Sequence, residues 1–238
     1  MVLAVSLFLA SCGSDIVDGD RVRGSGAVIT QTRTIGAFER IVLAGEGKAV
    51  FASGSDGQIE IETDDNLLAH IETDVSGNTL TIRTERGVDI DPTDGVVYRL
   101  SCPEINAVTL AGAGTIDLDA CATTARLKMD LAGAGTIVAR SLDLSDLEAS
   151  LPGAGSIRVD GRTDRVEVVL SGAGDFDGAD LEAVDGDVES TGVGTTSLWV
   201  AEQLDIRLSG VGAIRYYGEP SVNETVTGVG TIEDLGPK

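Results

Sequence analysis

Cationic side chains are scarce in this chain: 17 Lys and Arg stand against 39 Asp and Glu, a formal charge of −22 over 238 residues. Such a field repels phosphate backbones and no basic stripe interrupts it, which argues against nucleic-acid binding and against adsorption to anionic lipid heads. Histidine occurs once and cysteine three times, too few soft ligands for a zinc centre. With five prolines, the chain is no proline-rich disordered tract. Aromatics are 3% of residues against 42% hydrophobics. The core must therefore be filled by Val, Leu, Ile and Ala, side chains suited to narrow β interiors. Helical patterning is nearly absent, and the apolar run near the N-terminus falls short of the roughly 20 residues that span a bilayer.

That run, Val2 to Ala10, ends in Leu9-Ala10-Ser11-Cys12. Its length and the small residues that close it match the core of a secretory signal peptide. Leu-Ala-Ser-Cys also resembles the bacterial lipobox, in which the cysteine sulfur is acylated and the cysteine becomes the new N-terminus. Cys12 is then the lipidation site and residues 1–12 a lipoprotein signal peptide; an ordinary export signal is the alternative. No Lys or Arg precedes the run, so a longer leader with a basic start is expected. Residues 13–23 read as a polar tether and residues 24–238 as the folded part. Cys102 and Cys121 lie 19 residues apart, about one repeat. Stacked β rungs are about 4.8 Å apart, within the Cα separation of a disulfide. In an oxidising compartment the pair is a disulfide candidate, with two free thiols as the alternative.

Glycine is abundant, 31 residues, and it is ordered. A phrase of Gly, Ala or Val, then Gly recurs seven times, starting at Gly112, Gly133, Gly153, Gly172, Gly192, Gly210 and Gly228, at separations of 21, 20, 19, 20, 18 and 18 residues. Self-similarity at this period means stacked units, because one unit cannot bury its apolar face alone. Two, four and six residues before the first glycine stand apolar side chains, as in Leu131, Met129 and Leu127 or Leu170, Val168 and Val166, with Lys128, Asp130 and Glu167 between them. This period-two alternation is a strand with one buried face. Continued past the glycines, the same parity reaches Ile116, Ile137, Ile157, Phe176, Ile214 and Ile232. If parity holds, both glycines face inward and the wall is pinched there; if a bulge intervenes, they supply positive-φ corners. The fold expected is all-β, a single-stranded β-helix of roughly ten rungs of 18–21 residues.

Residues 108–238 carry the regular repeats and residues 24–107 read as N-terminal coils and cap, with a short helix near Asp65-Asn66-Leu67-Leu68-Ala69-His70. Ser190 and Thr196 replace apolar inward residues and predict a weak rung around Gly192. Glu224 occupies an inward position near the end, as in an atypical capping rung.

Gly24-x-Gly26, Arg33 with Phe38 five later, Ile41-x-Leu43-x-Gly45-x-Gly47, Asp64-Asp65-Asn66-Leu67-Leu68, Thr79-Leu80-x-Ile82 and Cys102-Pro103-Glu104-Ile105 together resemble the autotransporter adhesin head GIN domain family. The resemblance runs from about residue 24 to 235. It implies an envelope-exposed β-helix, right-handed and often part of a lipoprotein, and it brings no catalytic residues to carry over.

The chemistry legible in the residues is sparse. Asp89, Asp91 and Asp94 have part of the spacing of a calcium loop but lack the distal bidentate Glu, and read as a turn. Asp175, Asp177 and Asp180 do not continue as a nonapeptide calcium roll. Lone His70 has no candidate nucleophile near it. Trp199 and the Tyr216-Tyr217 pair read as local packing, with sugar stacking as the alternative. No catalytic residue, metal ligand or cofactor site is assigned. The parity opposite the glycines places Ala113, Ala134, Ala154, Ala173, Val193, Val211 and Val229 outward, flanked by Thr115, Thr136, Ser156, Thr195 and Thr231. Stacked, these make a flat, uncharged stripe on an acidic particle.

Three readings follow. One is a non-catalytic protein, lipid-anchored to the bacterial envelope at the outer membrane or its periplasmic face, that binds a protein or glycan or self-associates through its β-helix. The second is a carbohydrate-active β-helix lyase or hydrolase, which requires three or more carboxylates converging in one cleft. The third is a passive spacer.

Overall fold

The computed structural model describes residues 20–52, 57–101, 104–118 and 123–238. It is an all-β solenoid of stacked parallel coils, closed at its N-terminal end by antiparallel strands.

That end is built from β1 (Asp20–Arg23), β2 (Val28–Thr34), β3 (Arg40–Leu43), β4 (Glu46–Ala52), β5 (Gln58–Asp64), a single 3-10 turn (Leu68–His70), β6 (Ile71–Ser76), β7 (Thr79–Thr84), β8 (Val88–Asp91) and β9 (Val97–Ser101). Strands β3 and β4 form the first coil layer, with β7 pairing parallel beneath β3 and β9 beneath β4. The edges of that lower layer are covered antiparallel, β7 by β6 and β9 by β5, which in turn carries β2. Antiparallel cover removes the open edge that a bare coil would offer to another chain.

The solenoid proper continues with β10 (Ile105–Leu110), β11 (Ala113–Asp117), β12 (Thr123–Leu131), β13 (Ala134–Leu151), β14 (Ala154–Leu170), β15 (Ala173–Ser190), β16 (Val193–Leu208), β17 (Val211–Tyr217), β18 (Ser221–Val226) and β19 (Val229–Asp234). Strands β10 and β11 settle on top of β3 and β4, not on the layer the chain has just left. The first coil is thus sandwiched between two segments that follow it in sequence. From Gly112 to Gly228 there are about six turns, not ten rungs, because most of the 67 residues between Gly45 and Gly112 build the cap instead of further coils.

Register is kept at the glycine corner and along the strand that leads into it, and it slips in the segments between. Ala113, Ala134, Ala154, Ala173, Val193, Val211 and Val229 stand in one column without a slip. The differences in repeat length are absorbed between Ala139 and Leu142, between Arg158 and Asp160, between Gly178 and Glu182, and between Ala183 and Asp185. Inside, aliphatic columns run the length of the stack, such as Val108, Met129, Ala149, Val168, Val188 and Ile206, all buried. Each Val, Ile or Met in such a column contributes about 1.5–3 kcal/mol on burial, and an alanine such as Ala149 less. Ser190 and Thr196 are buried in this core, and Thr196 Oγ1 has no hydrogen-bond partner. Glu224 sits above Ile206 in the last turn, where it is exposed.

Candidate functional site

The glycine corner explains both the repeat and the surface it displays. Parity runs unbroken through it: the glycines are half-buried or buried along most of the stack, and the residue between them is exposed. A Cβ on Gly133 would stand 2.0 Å from the Gly112 carbonyl oxygen, and one on Gly155 2.0 Å from that of Gly135. Successive turns approach too closely there for any side chain. In five of the seven units, all but those of Gly174 and Gly230, the second glycine also takes a positive φ, 143° at Gly155, which L side chains avoid. Backbone bonds such as Ala134 N–H to the Gly112 carbonyl and Ala154 N–H to that of Gly133, both 2.9 Å, fix each layer on the one below.

What faces solvent is a lane of small side chains, in which Val193, Val211 and Val229 are 57%, 51% and 74% exposed. Exposed Ala111, Ala132, Pro152, Ser171, Thr191, Ser209 and Thr227 border it on one side. A mostly hydroxyl column borders it on the other, where Thr136 and Ser156 approach at 3.3 Å and where Asp175 and Ala213 interrupt the Ser and Thr side chains. The foot of the lane is Glu46, register partner of Ala113. Its carboxyl is pushed up from the ordinary range, first by burial and then by Asp89 and Asp91.

A second feature lies on the coil face before the corner. Outward residues of β12, β13 and β14 line a groove of about 750 Å³, among them Arg126, Lys128, Asp146, Glu148, Arg165 and Glu167. Arg126 and Asp146 are register partners 3.1 Å apart, and Lys128 pairs with Glu148 in the same way. The Glu148 hydrogen bond holds the Lys128 ammonium pKa above its usual value. The groove gathers three carboxylates, but Asp146 and Glu148 are about half-exposed and already neutralised by cations. An acid catalyst needs burial or a like-charge neighbour to keep its proton. This charged ladder is absent from the expected sites. It becomes visible only when outward positions are compared one repeat apart, Arg126 with Asp146 and Arg165.

Cys12, Cys102 and Cys121 lie outside the described residues. The most distinctive motif is a structural clamp. Asp64, fully buried, accepts from Thr93 N–H at 2.8 Å, Thr93 Oγ1 at 2.8 Å and Gly26 N–H at 2.6 Å. Ser25 N–H donates to Asn66 Oδ1, and Asn66 Nδ2 to the Arg23 carbonyl, both at 2.9 Å. Gly24 is required because a Cβ would meet the Asp64 carboxylate at 2.4 Å. Arg33 donates to the carbonyls of Leu68 and Ile71, each at 2.7 Å, closing the 3-10 turn. The last four residues of the segment read as tether form β1, parallel to β8, with Arg21 and Arg23 on Asp91. Asp91 is thereby engaged by cations of the chain. His70 Nδ1 stands 2.8 Å from Glu85. Among the described residues no three His, Cys, Asp or Glu are grouped to hold a metal ion.

Comparison with known proteins agrees with this architecture. No curated protein matches the chain. Among solved structures, a putative adhesin from Bacteroides fragilis NCTC 9343 is 25% identical with a TM-score of 0.85, covering 90% of this chain and 100% of its own. A putative adhesin from Parabacteroides merdae ATCC 43184 is 21% identical with a TM-score of 0.65, covering 91% of this chain and 99% of its own. A putative lipid binding protein from Parabacteroides distasonis ATCC 8503, 22% identical with a TM-score of 0.68, covers 91% of this chain and 100% of its own. The last two share the fold. The family described as "putative auto-transporter adhesin, head GIN domain" matches residues 37–220. With most of the solenoid and its cap inside that match, the chain belongs to the auto-transporter adhesin head GIN domain family.

Proposed function

We propose that this protein is an exported, lipid-anchored envelope protein whose solenoid presents a non-catalytic face for adhesin-like binding or self-association. The observation that carries the reading is the lane from Ala113 to Val229, exposed, uncharged and held flat by the glycine corner on a molecule of net charge −22. A flat apolar strip of this kind packs against an extended partner surface without desolvating charge. Membership of an adhesin-named family and the signal-like Val2–Ala10 run ending at Cys12 support it. The partner class is a protein or a neutral glycan, with membrane attachment through Cys12 and no nucleic acid.

The enzyme reading has one observation in its favour, the groove that brings Asp146, Glu148 and Glu167 together. If the groove hydrolysed or cleaved polysaccharide, Glu167→Gln would abolish chain shortening of a bound glycan. On the binding reading no shortening occurs with either protein. The anchor is tested by palmitate labelling in a bacterial host, where label present in the wild-type protein and lost in Cys12→Ala is expected. Equal labelling of both removes the anchor. Binding itself is tested by applying residues 13–238, which keep β1, to a glycan array and to immobilised envelope proteins. Retention on neither, together with a monomer at high concentration, contradicts the proposal.

A further inference from the structure

The last four residues run back against the direction of stacking. Leu235 N–H donates to the Tyr216 carbonyl at 2.8 Å and Gly218 N–H to the Gly236 carbonyl at 3.0 Å, which leads Pro237 and Lys238 down the side of the solenoid. The Lys238 ammonium comes to lie over two aromatic rings, 5.3 Å from the centroid of Trp199 and 5.2 Å from that of Tyr217. The rings are neighbours because Trp199 and Tyr217 are register partners in β16 and β17. One turn lower, in β15, the Ala179 carbonyl and Asp180 Oδ1 accept hydrogen bonds from the same ammonium. The Lys238 side chain is only 30% exposed as a result.

Two aromatic faces, a carboxylate and a carbonyl are the chemical complement of an ammonium ion. The ring quadrupoles attract the cation, and the two oxygens take two of its three N–H donors. A clasp for the strap would need no more than one of these groups. The aliphatic repeat, with aromatics at 3% of the chain, does not itself call for Trp and Tyr at this position.

We propose that Trp199, Tyr217 and Asp180 form a recognition site for a lysine-type primary ammonium, closed in cis by Lys238. The site is separate from the lane and from the charged groove, and does not depend on how either is used. Its ligand is a lysine on an extended protein segment, of which Gly236-Pro237-Lys238 is the intramolecular copy. Held on a short strap, Lys238 acts at an effective concentration of the order of millimolar. A lysine from another chain therefore enters when the strap is displaced.

Trp199 is the only tryptophan in the chain, so its emission reports this site alone. In the full chain carrying Lys238→Ala, and in Lys238→Gln, which keeps the length of the strap, Nα-acetyl-lysine methylamide is expected to change that emission saturably. The wild-type protein should need more of the probe than either variant, because the tethered Lys238 competes for the same groups. Adding Asp180→Asn to Lys238→Ala should weaken the response by roughly two- to fivefold, the scale of an exposed ion pair. The norleucine methylamide, which has no charge, should have no effect. The assignment is overturned if neither Lys238 variant responds saturably, if wild type responds equally, or if the norleucine derivative works as well. It is also overturned if glucosamine binds more tightly than the lysine probe, since the site would then recognise an amino sugar.

Discussion

At the residue scale, the glycines of the corner are set by a distance. Because a Cβ on Gly155 would meet the Gly135 carbonyl oxygen at 2.0 Å, with backbone on both sides of the clash, no side-chain movement relieves it. Gly155→Ala is expected to lower unfolding stability by at least about 2 kcal/mol, whereas Ala154→Ser, one residue away and exposed, stays within about 0.5 kcal/mol. Guanidinium titration of both variants checks this, and equal midpoints would refute the close-approach account. Thr196 is the opposite case. It lies between Phe176 and Ile214 with an unpartnered buried hydroxyl, so Thr196→Val should raise stability by about 1 kcal/mol. The sequence alone marks Thr196 as a misfit, because it breaks the inward apolar parity. It does not show whether a partner for the hydroxyl exists, since that depends on turns above and below.

Asp64 gives a pH-dependent prediction. Its carboxyl is held below the usual range chiefly by the Thr93 backbone N–H, with the Thr93 hydroxyl and Gly26 N–H adding to it against the effect of burial. A carboxyl whose folded pKa is lowered contributes stability that is fully present above the unfolded-state value of about 4. That contribution is lost as pH falls through the folded value. Thermal melts from pH 6 to pH 3 should therefore show a decline that flattens in Asp64→Asn, whose amide also places a donor against three donors. Identical pH profiles would remove Asp64 as the clamp.

At the element scale, the alternation and the glycine phrase made the coils readable from Leu127 to Leu208, and with them the outward lane. The cap was far less readable. That β3 and β4 lie between β7 and β9 on one side and β10 and β11 on the other is a matter of pairing between strands about 40 to 67 residues apart. No local pattern encodes such a choice. The same holds for the Ser25–Asn66 and Arg33–Leu68 hydrogen bonds, each between residues 35 or more apart. Their residue types form a motif in the sequence, but their pairing exists only in three dimensions. The charged groove was missed for another reason: Arg126, Asp146 and Arg165 look like ordinary solvent-facing positions until the repeat period aligns them. We further propose that Cys102 and Cys121 are bridged. Protein purified from an oxidising compartment should then expose no thiol at either position until reduced, and alkylation of both without reductant would contradict the bridge.

On the scale of the whole molecule, the two ends differ. The N-terminal end is covered by β2, β5 and β6, while in the last turn β18 and β19 are exposed along almost their whole length. A solenoid is stabilised by contacts between neighbouring turns, so its terminal units are the first to open. Amide hydrogen exchange should be faster across Ser221–Asp234 than across β13 to β16. Uniform protection along the stack would contradict a quasi-one-dimensional fold.

The same stacking makes the lane a single long surface, and its use as the binding face is the central claim. The most direct test compares Ala134→Lys with Ala154→Lys, combined in one protein, against Arg126→Glu with Arg165→Glu in the groove. Retention on the partner found for residues 13–238, or sedimentation if that partner is a second copy, is the quantity to measure. The lane pair is expected to abolish association and the groove pair to leave it intact, with both variants folded by circular dichroism. Association that survives the lane pair and is lost with the groove pair would contradict the lane as the binding face.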